Sequence, residues 1–362
     1  MKRAREKSLF GMLVSPLAWP LVLLYAMGVR LKNAAYDLHL LKPRRLTWPV
    51  ISVGNLSVGG TGKTPVVLLL AELLSARGWS VDVLSRGYGR SNQRVMRVDP
   101  QGAWEEFGDE PFLMAQNGVS VYVGAGRYQP GLLAEKAAAA SEAAGREIPR
   151  RTHILDDGFQ HRKLARAVDI VLLQREDLKD DMLPLGRLRE PLCALERADI
   201  CVLREEDAAL SPRVLQLMGQ TDPAHIWIVK RRTVVSAMAA FPDPTPSALA
   251  FCAIGDSQGF FHSLREAGVD VQSEMAFRDH HVYTDKDVER LITAAQSSES
   301  KCFVTTEKDS VRFSRDLRSK LENKLPLLIA GLELSLQEEA RAMEMLEALI
   351  AKRLQGSRHD VR

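Results

Sequence analysis

A glycine-rich loop near residue 60 constrains the fold of this 362-residue chain more than any other feature of its sequence. The loop reads Ser57-Val58-Gly59-Gly60-Thr61-Gly62-Lys63-Thr64-Pro65 and lies between the apolar runs 49–54 and 66–70. A strand, a glycine-rich loop and a helix in this order form the context of a phosphate-binding loop. The glycines allow backbone N–H groups to turn towards an anion, and the helix N-terminus adds a partial positive charge. The sequence therefore predicts a nucleotide site between a strand and a helix.

Individual positions of this loop have predicted tasks in binding ATP and Mg²⁺. Lys63 is expected to reach the β- and γ-phosphates, and the Thr64 hydroxyl is expected to be a magnesium ligand. Ser57 stands where such loops usually have their first glycine, and the neighbouring glycines supply the conformational freedom instead. The predicted nucleotide-binding residues are Gly59, Gly60, Thr61, Gly62, Lys63 and Thr64.

The composition is typical of a folded chain and excludes several classes of protein. Hydrophobic residues make up 46% and charged residues 26%, unlike disordered or polytopic membrane proteins. The net charge of +3 gives no support to a nucleic-acid partner, and the sequence indicates no obligate protein partner. The cysteines lie singly beside apolar runs, without the close pairs of zinc or redox sites, and are predicted to be buried thiols. They are Cys193, Cys201, Cys252 and Cys302.

Short apolar runs alternate with helical patterns along the chain. Helices are predicted at 65–78 and 131–145, among others. Strands and helices in alternation predict parallel α/β layers in which both sheet faces are covered. The predicted strands cover 49–54, 80–85, 119–124, 153–156, 168–173, 200–203, 226–229, 249–254, 302–305 and 327–330.

A change of composition after residue 215 predicts a boundary between two α/β units. The basic run 230–232 is followed by the proline-rich segment 241–246, and a second, smaller α/β unit begins beyond it. The predicted parts are an N-terminal membrane-associated helix, a nucleotide-binding core, a linker, the smaller α/β domain and a C-terminal helix that packs back on the body. Their bounds are 1–36, 37–222, 223–246, 247–330 and 331–362.

An uncharged apolar run covers residues 10–29 and is long enough to span a bilayer. Pro16 and Pro20 interrupt this run, and basic residues flank it on both sides, whereas a spanning helix carries its positive charge mainly on one side. A helix that lies in the cytoplasmic leaflet, held by apolar burial and by attraction to anionic lipid, fits both details. A cleaved signal peptide and a buried core helix are the alternatives.

Three clusters of polar residues, with a fourth in reserve, compete for the remaining tasks of phosphoryl transfer, which needs a carboxylate for magnesium and a group that accepts the hydroxyl proton. Asp156 and Asp157 end an apolar strand, where α/β folds build their ligand crevice, and a turn or cap is the alternative. Asp109 and Glu110 precede a predicted helix, and helix capping is the simpler explanation for them. Structural roles are the alternative for the other two clusters, Asp279-His280-His281 and Thr306-Glu307-Lys308-Asp309.

Several short motifs occur along the chain in a fixed order. They are Gly54-Asn55, Ser85-Arg86-Gly87-Tyr88-Gly89-Arg90, Gly108-Asp109-Glu110-Pro111, Asp156-Asp157-Gly158-Phe159-Gln160-His161-Arg162, Gly186-Arg187-Leu188-Arg189-Glu190, Asp279-His280 with Tyr283, and Thr306-Glu307-Lys308-Asp309. Together with the glycine-rich loop, this ordered set resembles the tetraacyldisaccharide 4'-kinase (lipid A 4'-kinase) family. The resemblance covers residues 10–330, and it is the order of the motifs that makes it specific.

The resemblance implies a fold and an activity. The implied fold has a P-loop NTPase-like α/β/α core, a second α/β domain and a β-stranded hinge, with the nucleotide cleft between the domains. The implied activity transfers the γ-phosphate of ATP to the 4'-hydroxyl of tetraacyldisaccharide 1-phosphate in lipid A biosynthesis. The implied location is the cytoplasmic face of the bacterial inner membrane, so the expected partners are the lipid substrate and the inner leaflet.

The same resemblance, followed position by position, implies roles for the acidic clusters. Asp109 is expected to be the base that activates the sugar hydroxyl, and His280 is expected to be its partner. Asp156 and Asp157 are both candidate magnesium ligands beside Thr64. The expected catalytic residues are Asp109, His280, Asp157 and Lys63, and the other expected cleft residues are Glu110, Arg189 and Glu190.

A membrane-associated GTPase or ATPase switch is the alternative function. A GTPase would need a guanine-reading Asn-Lys-x-Asp motif, and Thr306-Glu307-Lys308-Asp309 has its lysine one position too late. A membrane adaptor that binds nucleotide only for stability is the second alternative. Because a sugar hydroxyl is a poor nucleophile, carboxylates beside a phosphate loop favour the kinase.

Overall fold

A computed structural model describes residues 2–143, 150–236 and 246–359. The predicted linker therefore lies partly outside the described residues, including most of its proline-rich segment. Within the described ranges, twelve strands form one sheet. The strands are β1 (Val50–Asn55), β2 (Trp79–Ser85), β3 (Met96–Arg97), β4 (Ser120–Val123), β5 (Arg150–Asp156), β6 (Val168–Leu172), β7 (Ile200–Arg204), β8 (Ile226–Val235), β9 (Ala248–Cys252), β10 (Val271–Ala276), β11 (Cys302–Thr306) and β12 (Leu327–Leu336).

Helices connect most of these strands. Short 3₁₀ helices also occur, at Arg175–Lys179, Leu192–Arg197, Glu205–Leu210 and Pro223–His225. The described α-helices are α1 (Lys2–Asp37), α2 (Lys63–Ala76), α3 (Trp104–Phe107), α4 (Asp109–Gln116), α5 (Tyr128–Ala143), α6 (Ser211–Met218), α7 (Ser257–Glu266), α8 (Asp285–Ser297), α9 (Glu307–Ser310), α10 (Arg315–Glu322) and α11 (Glu339–His359).

The sheet consists of two parallel halves that run in opposite directions. The strand order is β10-β9-β11-β12-β8-β7-β6-β1-β5-β2-β4-β3. Strands β1 to β8, with the helices between them, form the first half, in which β3 alone of the described strands is antiparallel to its neighbour. Strands β9 to β12 form the second half, and β12 pairs antiparallel with β8. The predicted α/β fold class is confirmed, as a mostly parallel mixed sheet.

The β8·β12 pair is a two-stranded ribbon between the halves. Strand β8 passes Val229, which is paired with Arg204 at the end of β7, and reaches Val235 opposite Ala330. Ala330 is paired in turn with Thr306 at the end of β11. The ribbon therefore spans about 20 Å between the halves, at roughly 3.3 Å per residue. Because the halves run in opposite directions, the carboxyl ends of their strands face each other across this space, which we call the cleft.

The predicted C-terminal helix at 331–362 is wrong at its start. Residues 331–336 complete β12, and α11 begins only at Glu339. The strands predicted at 226–229 and 327–330 also end too early, because the ribbon continues through polar and charged residues. Lys230 and Arg231 form ion pairs with Glu205 and Glu206 on the surface, and a charged sequence is tolerated in such an exposed strand.

The core covers both faces of the sheet. In the first half, α2 and α11 bury side chains such as Leu70 and Met343 with Ile51 and Ile170 of the central strands. Helix α11 therefore packs on the first half. The second half has its own apolar clusters, in which Phe251 and Phe303 are fully buried. Cysteines at 201, 252 and 302 are buried as predicted, whereas Cys193 is exposed, against the prediction.

Helix α1 contacts the first half through polar groups, among others. The Tyr25 hydroxyl donates to the carbonyl oxygen of Arg189 at 3.1 Å, and the Asn33 amide donates to Glu190 at 2.7 Å. Within the described residues, no helix combines the length and the apolar character that a membrane crossing requires. Large apolar side chains of α1 are nevertheless exposed, namely Trp19, Leu21, Leu23, Leu24, Met27 and Leu31.

Candidate active site

The glycine-rich loop connects β1 to α2 at the carboxyl ends of the first-half strands. Gly59 and Gly62 have φ values of 118° and 85°, a region that glycine enters without steric cost. Gly62 immediately precedes α2, so the N-terminus of this helix, at Lys63, opens towards the cleft. The Thr61 hydroxyl is buried and has no hydrogen-bond partner among the described residues. The loop thus places its backbone at the cleft and contains a buried polar atom without a partner among the described residues.

The loop that carries Asp156 and Asp157 packs closely against the end of β1. A Cβ atom added at Gly54 would lie 2.7 Å from the backbone nitrogen of Phe159, so a larger residue would separate the two segments. Asp157 has a positive φ of 50°, which turns the chain sharply after β5. The close approach places the acidic pair beside the start of the glycine-rich loop.

Asp157 is bound by cations of the first half. Arg189 donates to its two carboxylate oxygens, at 2.9 Å each, and Lys63 Nζ lies 3.5 Å from Oδ1. Lys63 also donates to the Asn55 side chain at 3.2 Å. Burial raises the pKa of Asp157, but the Arg189 hydrogen bonds and the Lys63 charge outweigh it and hold this pKa at about 2. These residues, Asn55, Lys63, Asp157 and Arg189, are called the phosphate-side cluster.

Asp156 has the opposite electrostatic environment. Its carboxylate is buried and accepts a hydrogen bond of 2.9 Å from the Ser85 hydroxyl. Burial, together with the negative charge of Glu110, raises the pKa of Asp156 to about 6. Arg127 donates to the Asp156 carbonyl oxygen at 3.4 Å, while its own buried Nε has no partner among the described residues. Two adjacent aspartates therefore differ in how readily they ionise.

Asp109 is the first residue of α4, and groups from the second half surround its buried side chain. His280 Nδ1 lies 3.1 Å from Asp109 Oδ2, and Arg312 donates to the same oxygen through Nε, at 3.2 Å, and through Nη2. The neighbouring Glu110 accepts a hydrogen bond of 3.0 Å from Lys308. These residues, Asp109, Glu110, His280, Lys308 and Arg312, are called the cross-cleft cluster.

The charges of the cross-cleft cluster keep Asp109 ionised. Burial raises the pKa of Asp109, but the positive charges of Lys308 and Arg312, with His280, outweigh burial and lower this pKa below its ordinary value. Asp109 can therefore accept a proton at neutral pH. The two clusters are near enough for Glu110 of one to influence Asp156 beside the other.

The structure brings together most of the predicted site residues. Lys63 and Arg189 both contact Asp157, and Asp109 contacts His280. Glu190 is placed differently, because its buried carboxylate is bound by Arg197 at 3.0 and 3.2 Å and by Asn33 of α1. It connects α1 to the Arg189 loop. Within the described ranges, no group of three or more His, Cys, Asp or Glu side chains is arranged to hold a metal ion.

Two arginines of the site have no obvious signal in the sequence. Arg127 lies at the end of the loop before α5, outside the sequence motifs named above. Arg312 follows Asp309 at a spacing of three residues, which is a helical pairing distance and forms a buried ion pair of 3.2 Å here. That spacing is the one feature by which Arg312 could have been found.

Comparisons with known proteins agree over nearly the whole chain. The family model LpxK, tetraacyldisaccharide-1-P 4'-kinase, matches residues 14–351. A tetraacyldisaccharide 4'-kinase from Koribacter versatilis is 40% identical over 92% of this chain and 99% of that protein. Another, from Aquifex aeolicus, is 36% identical over 84% of this chain and 93% of that protein. A crystal structure of the "apo" form of Aquifex aeolicus LpxK in complex with ATP has a TM-score of 0.70 and 32% identity, and the match covers 92% of this chain and 99% of that one. The chain therefore belongs to the tetraacyldisaccharide-1-P 4'-kinase family.

Proposed function

We propose that this protein transfers the γ-phosphate of ATP to the 4'-hydroxyl of tetraacyldisaccharide 1-phosphate in lipid A biosynthesis. The arrangement of the phosphate-side and cross-cleft clusters at facing strand ends carries this proposal, because it sets an ionised base opposite a phosphate-binding loop. Membership of the family supports the same activity. A GTPase switch would leave the contact between Asp109 and His280 without a task.

The phosphate-side cluster suits a triphosphate. The backbone amides of the glycine-rich loop and the N-terminus of α2 provide partial positive charge, and Lys63 provides a full one. Lys63 is paired with Asp157 and Asn55, and phosphate oxygens of ATP compete with these partners for its ammonium group. Lys63 then offsets the charge that develops on the transferring group, which is the main electrostatic task in phosphoryl transfer.

The donors beside this loop fit Mg²⁺. Magnesium in kinase sites uses one or two carboxylates with phosphates and water, so Thr64 and one aspartate are enough from the protein. Both oxygens of Asp157 are bound by Arg189, whereas among the described residues only Ser85 donates a hydrogen bond to the Asp156 side chain. A buried carboxylate with a raised pKa gains most from a nearby cation. We therefore prefer Asp156 to Asp157 as the ligand, and the bound ion would neutralise phosphate charge.

Asp109 is the proposed base. As the 4'-oxygen forms its bond to the γ-phosphorus and the bond to the β–γ bridging oxygen breaks, the hydroxyl proton passes to the Asp109 carboxylate. The transition state of phosphoryl transfer is loose, so the proton leaves late and a weak base suffices. His280 lies beside the receiving carboxylate and is placed to orient it.

The exposed apolar side of α1 supports a location at the cytoplasmic face of the bacterial inner membrane. Each acyl CH₂ that leaves a bilayer costs about 0.8 kcal/mol, so the enzyme meets its lipid substrate at the membrane surface. Tyr25 and Asn33 of α1 are bonded to residues 189 and 190, which brings the cleft close to this helix. Co-sedimentation with anionic phospholipid vesicles measures the interaction, and protein that stays in the supernatant would contradict it.

The direct test incubates purified protein with radiolabelled ATP and tetraacyldisaccharide 1-phosphate. The wild type should label the lipid, and Asp109→Ala should lower kcat by about 10³-fold, within the usual range for a general base, while it still binds ATP. Asp99→Ala is the matched control, because Asp99 is exposed in a turn of the same half and should leave the activity unchanged. An unlabelled lipid with the wild type, or full activity of Asp109→Ala, would refute the proposal.

A further inference from the structure

Arg312 lies in the second half, two residues after α9, and so far only its charge, which lowers the pKa of Asp109, has been given a task. Its side chain is almost fully buried, with 2% of its surface exposed. A buried guanidinium is always charged and needs partners for its N–H groups, so the identity of those partners is informative.

One edge of the Arg312 guanidinium is anchored within the second half. Nη1 donates to the Ala253 carbonyl oxygen and to Asp309 Oδ1, at 3.2 Å each. Asp309 is itself held by the Ala253 amide at 2.9 Å and by the Thr306 hydroxyl at 2.7 Å. The plane of the guanidinium is therefore set by the ends of β9 and β11.

The other edge of the guanidinium points across the cleft. Nε and Nη2 both donate to Oδ2 of Asp109. The second carboxylate oxygen, Oδ1, accepts a hydrogen bond of 2.9 Å from the Glu110 amide at the start of α4. Asp109 is thus held through one oxygen by its own helix and through the other by the opposite half, which leaves its carboxylate a single orientation.

Arg312 also affects the contact between Asp109 and His280. His280 Nδ1 lies 3.1 Å from Asp109 Oδ2 and 3.1 Å from Arg312 Nη2. An arginine nitrogen can only donate, so the imidazole nitrogen cannot accept from Arg312 and donate to Asp109 at once. When Nδ1 carries its proton it bonds to Asp109, and the two donors then hold Oδ2 together.

We propose that Arg312 is a positioning residue for phosphoryl transfer, which holds the Asp109 carboxylate in its reactive orientation when the two halves of the sheet are in contact. The inference rests on the proposed role of Asp109 as the base. A loose transition state asks little of the strength of a base and much of its position, and a displacement of about 1 Å can lower a rate by roughly 100-fold. An arginine that donates through two nitrogens to one oxygen fixes such a position better than a lysine, because its donors are rigidly spaced.

The charge of Arg312 gives a second, independent signature. The groups that face Asp109 are Arg312, His280 and Lys308 from the second half and Glu110 from α4. Burial raises the pKa of Asp109, and Arg312 is one of the charges that lower it. Without Arg312 this pKa rises. Since Asp109 acts in its ionised form, the loss of activity on the acid side then begins at a higher pH.

The test compares three variants in the lipid-labelling assay, with a pH profile of kcat for each. Arg312→Gln should lower kcat by about 100-fold, leave the KM for ATP unchanged and move the acid limb to higher pH. Arg312→Lys keeps the charge and loses the paired donors, so its kcat should fall while its acid limb stays near that of the wild type. Arg318→Gln is the matched control, because Arg318 pairs with Glu322 on the surface of α10 and should match the wild type.

The outcomes separate this inference from its alternatives. A wild-type kcat in Arg312→Gln overturns it, and so does a lower kcat with an unmoved acid limb, because general structural damage would produce that result. Thermal melting checks the fold of each variant, and if Arg312→Gln is unfolded, a folded Arg312→Lys with wild-type kcat overturns the inference, whereas a reduced kcat supports it. An inactive wild type, or an active Asp109→Ala, contradicts the proposed function instead.

Discussion

The phosphate-side cluster and the cross-cleft cluster each hold an aspartate against an arginine, but they are assembled in different ways. Asp157 is bound by Arg189, and both belong to the first half of the sheet. Asp109 is bound by Arg312, which belongs to the second half. The first cluster is therefore complete within one half, whereas the second is complete only while the halves touch. With the proposed roles of the two clusters, movement of the halves should affect proton removal by Asp109 far more than nucleotide binding.

Burial strengthens this difference. The Asp157 side chain keeps about a third of its surface exposed, at 36%, so water shares the work of stabilising its charge. The ion pair of Asp109 with Arg312 is buried on both sides, with 7% and 1% exposed. A buried charge that loses its partner is strongly destabilised, whereas a buried pair gains little over apolar packing. The cross-cleft cluster is consequently the more sensitive of the two to loss of a partner.

Among substitutions in the phosphate-side cluster, Lys63→Ala should have the largest effect on activity. We expect kcat/KM to fall by about 10³-fold, because a full positive charge opposite the developing phosphate charge is removed. Calorimetry should also show weaker ATP binding, in contrast to Asp109→Ala, which is expected to bind ATP normally. Lys286→Ala, at an exposed position on α8, is the control. Normal ATP affinity in Lys63→Ala would break the comparison, since the phosphate-side cluster would then not be the nucleotide site.

Asp156 is adjacent to Asp157 and is influenced by the charge of Glu110 in the cross-cleft cluster. Its substitution should give the next largest effect, on the stability of the fold. Its pKa in the folded protein is raised from 3.8 to about 6, so between these values the folded state holds a proton that the unfolded state has released. This residue's contribution to stability therefore falls as the pH rises through that window, by on the order of 3 kcal/mol in total. In Asp156→Asn this fall is absent. The free energy of unfolding of the variant minus that of the wild type should therefore be larger at pH 7 than at pH 4.

Denaturant unfolding without nucleotide measures this difference, and Asp157→Asn is the matched control with the opposite sign. The pKa of Asp157 is depressed to about 2, so its contribution to stability is present above its ordinary pKa and is lost as the pH falls towards 2. Asp157→Asn should therefore be the less stable variant at neutral pH. If the unfolding free energies of the wild type and Asp156→Asn change in parallel between pH 4 and pH 7, the pKa of Asp156 is not raised in the folded state.

Lys308→Gln should have the smallest effect. The pair of Lys308 with Glu110 crosses the cleft at 3.0 Å, but its side chains are 23% and 40% exposed. Exposed ion pairs contribute roughly 0.2–1 kcal/mol, so kcat should fall no more than about fivefold, with unchanged ATP affinity. The same substitution in a Glu110→Gln background should have no further effect if the pair acts as a unit. If Lys308→Gln lowers kcat equally in that background, Lys308 acts on Asp109 and not through its pair with Glu110.

The sequence predicts the central part of the fold well, for a physical reason. Strands such as β1 and β6 are buried on both faces, so they form continuous apolar runs. Strand β10 is half-exposed along its whole length, and β3 has two residues, so neither carries such a run and neither is predicted. The full length of the ribbon is not predicted for the same reason. Its charged residues lie outside the main layers, and their sequence resembles that of a linker.

The sequence predicts those site residues that lie near the end of a strand, and it does not predict contacts between residues far apart in the chain. The aspartates at 156 and 157 lie at the end of β5, and Lys63 follows β1 after the glycine-rich loop, so their position at the cleft can be inferred from sequence patterns. The pairing of Asp109 with His280 came from the family resemblance and not from any spacing. Arg312 contacts Asp109 across 203 residues of chain, and its local signal, the three-residue spacing from Asp309, does not indicate that contact.

The paired strands between the halves also limit how this protein can diverge. Neighbouring side chains in β8 and β12 point to opposite sides, so one extra residue in each strand would turn the packed side outward. An insertion of two residues in both strands preserves the pattern and adds about 7 Å. The gap between the halves can therefore widen only in discrete steps. A descendant that accommodates a bulkier headgroup by this route should carry two or four added residues in each strand, never one.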